Sequence, residues 1–138
     1  MYLYQMEVPR SVTLITKDLV NRQEKASAEQ IISSLIIALQ SRDSITGSHC
    51  ERVATLAESF GKFMGLSPQK IRDLKRGAYI HDIGKIGIPD SILMKPGKLT
   101  CLEYEVMKTH TVIGERICKP LTPLRGVLPI IDRKSTRL

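Results

Sequence analysis

The ten residues His81-Asp82-Ile83-Gly84-Lys85-Ile86-Gly87-Ile88-Pro89-Asp90 place an imidazole, a carboxylate, an ammonium and two glycines in one short stretch. His81 and Asp82 offer a divalent cation one nitrogen and one hard oxygen, a mixed set that suits manganese, iron or zinc and, with more oxygen, magnesium. Lys85 follows about one helical turn after His81, so an ammonium would lie beside such an ion and a phosphate would be held from both sides. Taken alone, a His-Asp pair before a glycine is also what an ordinary helix end looks like, with Gly84 as its left-handed cap and Gly87-Ile88-Pro89 as a turn. The other two histidines decide between these readings.

His49 and His110 complete the histidine inventory of the chain. Singly, His110 reads as a core histidine bonded to a carbonyl and His49 as an exposed helix-start residue. Together with His81 and Asp82 they are better explained as a metal centre, with four ligands drawn from three helices and open positions for water and substrate. A divalent cation lowers the pKa of bound water from ~15.7 towards ~7, which makes hydroxide at neutral pH, and it neutralises phosphate oxygens in the same encounter. Lys85 would stabilise charge on the phosphoryl group, with Asp82 as the carboxylate of the reaction, and the backbone at Gly84 and Gly87 would allow close approach of substrate. The reaction implied is hydrolysis of a phosphoester through metal-bound hydroxide.

The elements that must position these groups are helices. Ser27-Ala28-Glu29-Gln30 has the form of a capping box, followed by Ala28, Ile31, Ile32, Leu35 and Leu39 at helical spacing. Ser48-His49-Cys50-Glu51 has the same form and precedes a stripe of Val53, Leu56, Ala57 and Phe60, with Gly65 placed to end that helix. Ser67-Pro68 opens a third helix, and Ile71, Leu74 and Ala78 carry it to His81. Thr100-Cys101-Leu102-Glu103 opens a fourth, on which Leu102, Val106, His110, Ile113 and Ile117 share one face and put His110 on the buried side. Pro120 and Pro123 stop it, and Val127 to Ile131 begins another helix. Residues 1–26 have weak periodicity and read as a leader or a connecting helix. No alternating strand pattern of useful length occurs, so the class is all-α.

Composition narrows the setting. A chain of 138 residues, 42% hydrophobic and 25% charged, suits one compact domain. The longest apolar run is Leu35 to Leu39, and the N-terminus lacks a signal-peptide pattern, so a cytoplasmic protein without a membrane span is expected. Cys50, Cys101 and Cys118 are odd in number and widely spaced, which argues for free thiols filling the core. The net charge of +7 admits an anionic partner, but part of it lies in the tail Asp132 to Leu138, and two Phe without Trp supply no stacking platform, so nucleic acid is an unlikely partner.

The sequence resembles the HD-GYP subgroup of the HD-domain metal-dependent phosphohydrolases. The residues that carry the resemblance are Arg42-Asp43, Thr46-Gly47-Ser48-His49, Arg52-Val53, His81 to Asp90, Ile92-Leu93, Lys95 to Thr100, Glu103, Glu105, Met107-Lys108, His110 and Gly114. It implies an HD-domain helical bundle over 27–131 and hydrolysis of the bacterial second messenger cyclic di-GMP, a cyclic dinucleotide, at a centre of two or three metals. Iron or manganese would be the usual metal, ahead of magnesium, zinc or nickel. By the same resemblance His49, His81, Asp82 and His110 match metal ligands, and Lys85 matches the residue that engages the scissile phosphate. Homodimers, or an upstream sensor or receiver domain in signal transduction, are the partners implied.

The chain also departs from that pattern. After Ile131 a paired histidine, the Gly-Tyr-Pro loop and a further aspartate ligand would be expected, whereas Asp132 to Leu138 form a basic tail unlike the family, with Ser135, Thr136 and Arg137 near the place of the histidine pair. Ile45 stands where some members carry a glutamate for a third metal. A bundle truncated before its closing helices is therefore expected, with apolar surface left open at Leu35, Ile113 and Ile117. The alternative function is a non-catalytic helical signalling or interaction module with a degenerate metal site.

Overall fold

The computed structural model describes residues 10–42 and 46–131. Every regular element among them is helical: α1 (Arg10–Gln40), α2 (Thr46–Phe63), α3 (Pro68–Ile80), a short 3-10 helix at Ile83–Gly87, α4 (Asp90–Leu93), α5 (Cys101–Lys108), α6 (His110–Cys118), a second 3-10 helix at Thr122–Val127 and α7 (Leu128–Ile131). The all-α class and the HD-type helical architecture hold. The expected tail from Asp132, with Ser135, Thr136 and Arg137, lies outside the described residues, as do Asp43 and Ile45.

Helix α1 does not begin at Ser27. It runs unbroken from Arg10, and Ser27 sits inside it with its hydroxyl donating to the Gln23 carbonyl at 2.9 Å. A serine within a helix satisfies itself by bonding back one turn, so the capping-box pattern there has no helix end to cap. The apolar stripe beyond it is as expected: Ala28, Ile32 and Leu39 are buried, with Ile31, Leu35 and Ile36 packed on the same core. That core is completed by Ile80, Ile83, Cys118, Leu124, Val127 and Ile131 from the later elements.

Helix α2 buries a different face from the one its hydrophobicity suggests. Leu56 and Phe60 are 71% and 58% exposed, while Cys50, Ala54 and Gly61 are buried. Small residues at this spacing let α2 and α3 approach closely: a side chain added at Gly61 would meet Ile71 at 3.1 Å and Leu74 at 3.5 Å. Gly65 ends α2 with φ +67, a conformation glycine adopts without strain. Glu58 of α2 then joins its neighbour Lys62 at 2.8 Å to Lys75 of α3 at 2.6 Å. Helix α3 opens as read, with the Ser67 hydroxyl accepting from the Lys70 amide and Pro68 at its first position.

The helix read across residues 102–117 is two helices. Thr100 and Glu103 form a reciprocal capping box at the start of α5, as expected, but α5 ends at Lys108. The Thr109 amide and hydroxyl both donate to the Val106 carbonyl, at 3.0 and 2.6 Å, which tightens the last turn and re-aims the chain into α6. Leu102 is consequently 81% exposed, and the buried face starts later, at Thr111, Gly114 and Cys118. Leu35, Ile113 and Ile117, expected to lie open, are half-buried, and the open apolar side chains include Leu56, Phe60, Phe63 and Met64. The three cysteines form no disulfide, but only Cys50 and Cys118 are buried; Cys101, at the start of α5, is exposed.

Candidate metal centre

Helix α3 delivers His81 as its C-cap, and Asp82 begins the turn into Ile83–Gly87. The His81 Nδ1 lies 2.7 Å from the Ala78 carbonyl, and the His110 Nδ1 lies 2.8 Å from the Met107 carbonyl. A ring nitrogen that bonds to a carbonyl must carry the hydrogen, so in both rings Nε2 is left as the free ligand atom. Both free nitrogens point to one carboxylate: His81 Nε2 is 3.3 Å from Asp82 Oδ2, and His110 Nε2 is 3.4 Å from Asp82 Oδ1. Lys85 Nζ donates to Asp82 Oδ2 at 2.9 Å.

His49, in the first turn of α2, stands with its ring centroid 6.2 Å from that of His81 and tilted by 58°. His49, His81 and Asp82 each offer a ligand atom within 4.8 Å of the other two. His110 is not in that trio but meets the other oxygen of Asp82. The four residues read as ligands are thus brought together around one carboxylate, which faces His81 and Lys85 with one oxygen and His110 with the other.

The close approach of ring nitrogens to carboxylate oxygens needs a bridging proton or cation. Imidazole lone pairs and carboxylate oxygens at 3.3–3.4 Å repel unless a proton or a metal ion lies between them. The Asp82 carboxylate draws the His81 pKa upward, against the burial that pushes it down. Burial by itself would raise Asp82, but the bonds and charges of His81 and Lys85 outweigh it and hold the carboxyl well below the ordinary carboxylate range. The donor set fits a borderline or hard divalent ion: imidazole nitrogens with their tautomers set by backbone carbonyls, and an ionised carboxylate.

Gly84 and Gly87 both face α6. A Cβ on Gly84 would lie 1.6 Å from the His110 carbonyl oxygen and 2.6 Å from the Gly114 amide nitrogen, and Gly84 is buried. Gly84 therefore serves the contact of the turn with α6, which sets His110 against Asp82, and offers no surface to a substrate. Gly87 is exposed on one side, and on the other a Cβ would meet Ile113 at 3.0 Å. Gly114 answers Gly84 across the same contact, with its own Cβ position 3.4 Å from the Gly84 nitrogen.

Arg42 is the positioning residue for which residue-by-residue reading supplied no role. Its guanidinium donates to the Ile86 carbonyl, to the Ile88 carbonyl at 2.8 Å and to the Asp90 carboxylate. It thereby ties the end of α1 to the strand-free loop that follows Lys85. The available signal was that Arg42 and Asp90, a cation and an anion, both stand among the residues that carry the family resemblance.

The chain belongs to the HD-domain family, matching it over residues 46–137. Curated relatives include a cyclic di-GMP phosphodiesterase of Thermotoga maritima, 46% identical over 88 residues, which are 64% of this chain and 24% of that protein. The cyclic di-GMP phosphodiesterase response regulator RpfG of Xanthomonas campestris is 40% identical over 106 residues, 76% of this chain and 28% of the relative. A 3'3'-cGAMP-specific phosphodiesterase of Vibrio cholerae is 36% identical over 93 residues, 67% of this chain and 18% of the relative. These names agree with the HD-GYP type of phosphohydrolase that the motifs resemble. The chain spans between 18% and 28% of the length of these relatives. Among the described residues no helix is long and apolar enough to cross a membrane.

Proposed function

We propose that this chain supplies part of the metal centre of a phosphodiesterase that cleaves a cyclic dinucleotide, with cyclic di-GMP as the substrate, in the bacterial cytoplasm. The observation that carries the reading is the convergence of His81 Nε2 and His110 Nε2, each freed by a backbone bond at Nδ1, on the two oxygens of Asp82. His49, His81, Asp82 and His110 would hold the metal, iron or manganese being favoured by the nitrogen and oxygen donors over magnesium, with zinc and nickel also accommodated. Such an ion supplies Lewis acidity to the phosphoryl oxygens and lowers the pKa of water it binds.

The chain's own residues do the rest. Asp82 is ionised at neutral pH because His81 and Lys85 hold it so, and one carboxylate with an oxygen on each side can serve ligands on both. Lys85, anchored on Asp82 at 2.9 Å, places an ammonium where negative charge would build on the phosphoryl group. Arg42 and the Gly84–Gly114 contact hold the turn and α6 in register, so that His81 and His110 keep their aim.

The test is hydrolysis of cyclic di-GMP and of 3'3'-cGAMP by the chain loaded anaerobically with Fe(II) or with Mn(II). Linear dinucleotide or mononucleotide product, lost in His81→Ala and Asp82→Asn, supports the reading. Turnover by this part of the centre is expected to be weak, and metal-loaded protein that neither binds nor cleaves either dinucleotide contradicts the phosphodiesterase assignment.

A further inference from the structure

On the C-terminal half of α3, little more than one turn before His81, Arg76 presents a second charged feature that the metal centre does not use. Its side chain is nine-tenths buried, and its Nε donates to the Glu29 carboxylate of α1 at 3.0 Å. Its Nη2 is buried and finds no hydrogen-bond partner among the described residues. A buried guanidinium nitrogen without an acceptor costs more than the ~1–3 kcal/mol of a neutral orphan, so such a group is retained at a cost.

Arg76 also lines two adjoining hollows between α1 and α3, of about 430 and 270 Å³, the larger closed on one side by Thr122 and Pro123. Both are lined as well by Lys25 and Arg72. Neither Lys25 nor Arg72 has a carboxylate within ion-pair distance among the described residues; Arg72 donates only to the Gln69 amide oxygen, at 2.8 Å. Lys75 lines the smaller hollow but is already held by Glu58 at 2.6 Å. With Lys75 set aside, three cations line the hollows with Glu29 as the one anion among the described lining residues, an excess of about two positive charges.

We propose that this cleft binds a phosphate monoester of about nucleotide size. A phosphate monoester carries close to two negative charges at neutral pH and several acceptor oxygens, which matches the charge excess and the three donors. The larger hollow is of the size that holds a small organic ligand, well beyond a bare phosphate ion. Its unpartnered Arg76 Nη2 is the donor that such an occupant would satisfy. The occupant would bridge α1 to α3, the helix that runs directly into His81, so the cleft is placed to bias the centre from outside it.

The experiment is isothermal titration calorimetry of the chain with adenosine monophosphate and, separately, with inorganic phosphate. Saturable, salt-sensitive binding is expected, tighter for the nucleotide, and weakened about tenfold by each of Lys25→Gln and Arg72→Gln. Because Arg76→Gln also breaks the tie to Glu29 and can unfold the chain, those two more exposed positions are the decisive ones. Binding retained in His81→Ala shows that the ligand is not held at the metal centre and keeps this result independent of the metal reading. No saturation by either probe up to about 10 mM, or binding indifferent to both charge removals, overturns the proposal; phosphate binding as tight as the nucleotide's overturns its size component.

Discussion

Replacing Gly84 by alanine adds one methyl group at the contact on which the candidate centre depends. The new Cβ would lie 1.6 Å from the His110 carbonyl oxygen, whereas ordinary contact begins near 3.4 Å, so the turn and α6 must part by about 1.8 Å. The obstacle is backbone and no rotamer change relieves it. The cost should stand at the upper end of overpacking, about 3 kcal/mol or more, out of a total stability of about 5–15 kcal/mol. The same separation carries His110 away from Asp82, now 3.4 Å apart, by far more than the ~0.2 Å tolerance of a metal–ligand bond. Gly126→Ala is the control: its Cβ would meet the Asp73 carboxylate at 2.6 Å, but that is the far end of a side chain, which can swing aside at the cost of one bond from Gln69. Urea unfolding, with metal content measured on the folded fraction, should show Gly84→Ala losing at least ~2 kcal/mol more than Gly126→Ala and losing metal as well. A Gly84→Ala chain as stable and as metal-loaded as the control would refute the assignment of this glycine to the turn–α6 contact.

Other consequences are as direct. Arg42→Met removes three donated bonds, two of them to carbonyls of the loop after Lys85, and should cost about 2–3 kcal/mol in chemical unfolding while speeding hydrogen exchange over residues 86–90. Ala54→Leu should destabilise by about 1–3 kcal/mol through overpacking of a fully buried position, whereas Leu102→Ser should change stability by less than about 0.5 kcal/mol, the reverse of what hydrophobicity alone suggests. Hydrogen bonds from Lys62 first, then Lys75, hold the Glu58 carboxyl down at about 2 from its ordinary 4.5. A lowered folded-state pKa stabilises above the unfolded value and is lost on acidification, so the stability advantage over Glu58→Gln should be full above pH 4.5 and fade as pH falls towards 2. An advantage that persists unchanged at pH 2 would contradict the Lys62–Glu58–Lys75 linkage.

The helical class was legible because the core stripe of α1 and the caps at Ser67-Pro68 and Thr100-Glu103 are local signals that the tertiary structure leaves intact. Helix limits were less so. Ser27 carries a cap pattern inside a helix whose upstream turns lack a clear apolar period, and Thr109 breaks a helix through its own bonds to Val106 without any glycine or proline to mark it. The face of α2 was misread because area was weighed above size: Ala54 and Gly61 are buried for their smallness, and Leu56 and Phe60 are left outside. At the centre, the residue types with chemistry were visible, but their geometry was not. Nothing in the one-dimensional spacing of His81 and His110 says that their Nε2 atoms meet opposite oxygens of Asp82, nor that Gly84 and Gly114 bring them there.

Metal analysis joined to X-ray absorption tests the central claim most directly. After chelation and reloading with Mn(II) or Fe(II), the chain should retain at least about one ion per molecule with imidazole nitrogen in its coordination shell at ~2.0–2.2 Å, and the double variant His81→Ala, Asp82→Asn should lose the ion and that scattering while keeping its helical circular dichroism. Protein that retains no ion, or a folded double variant that binds the metal with its nitrogen shell unchanged, would contradict a centre built on His81, Asp82 and His110.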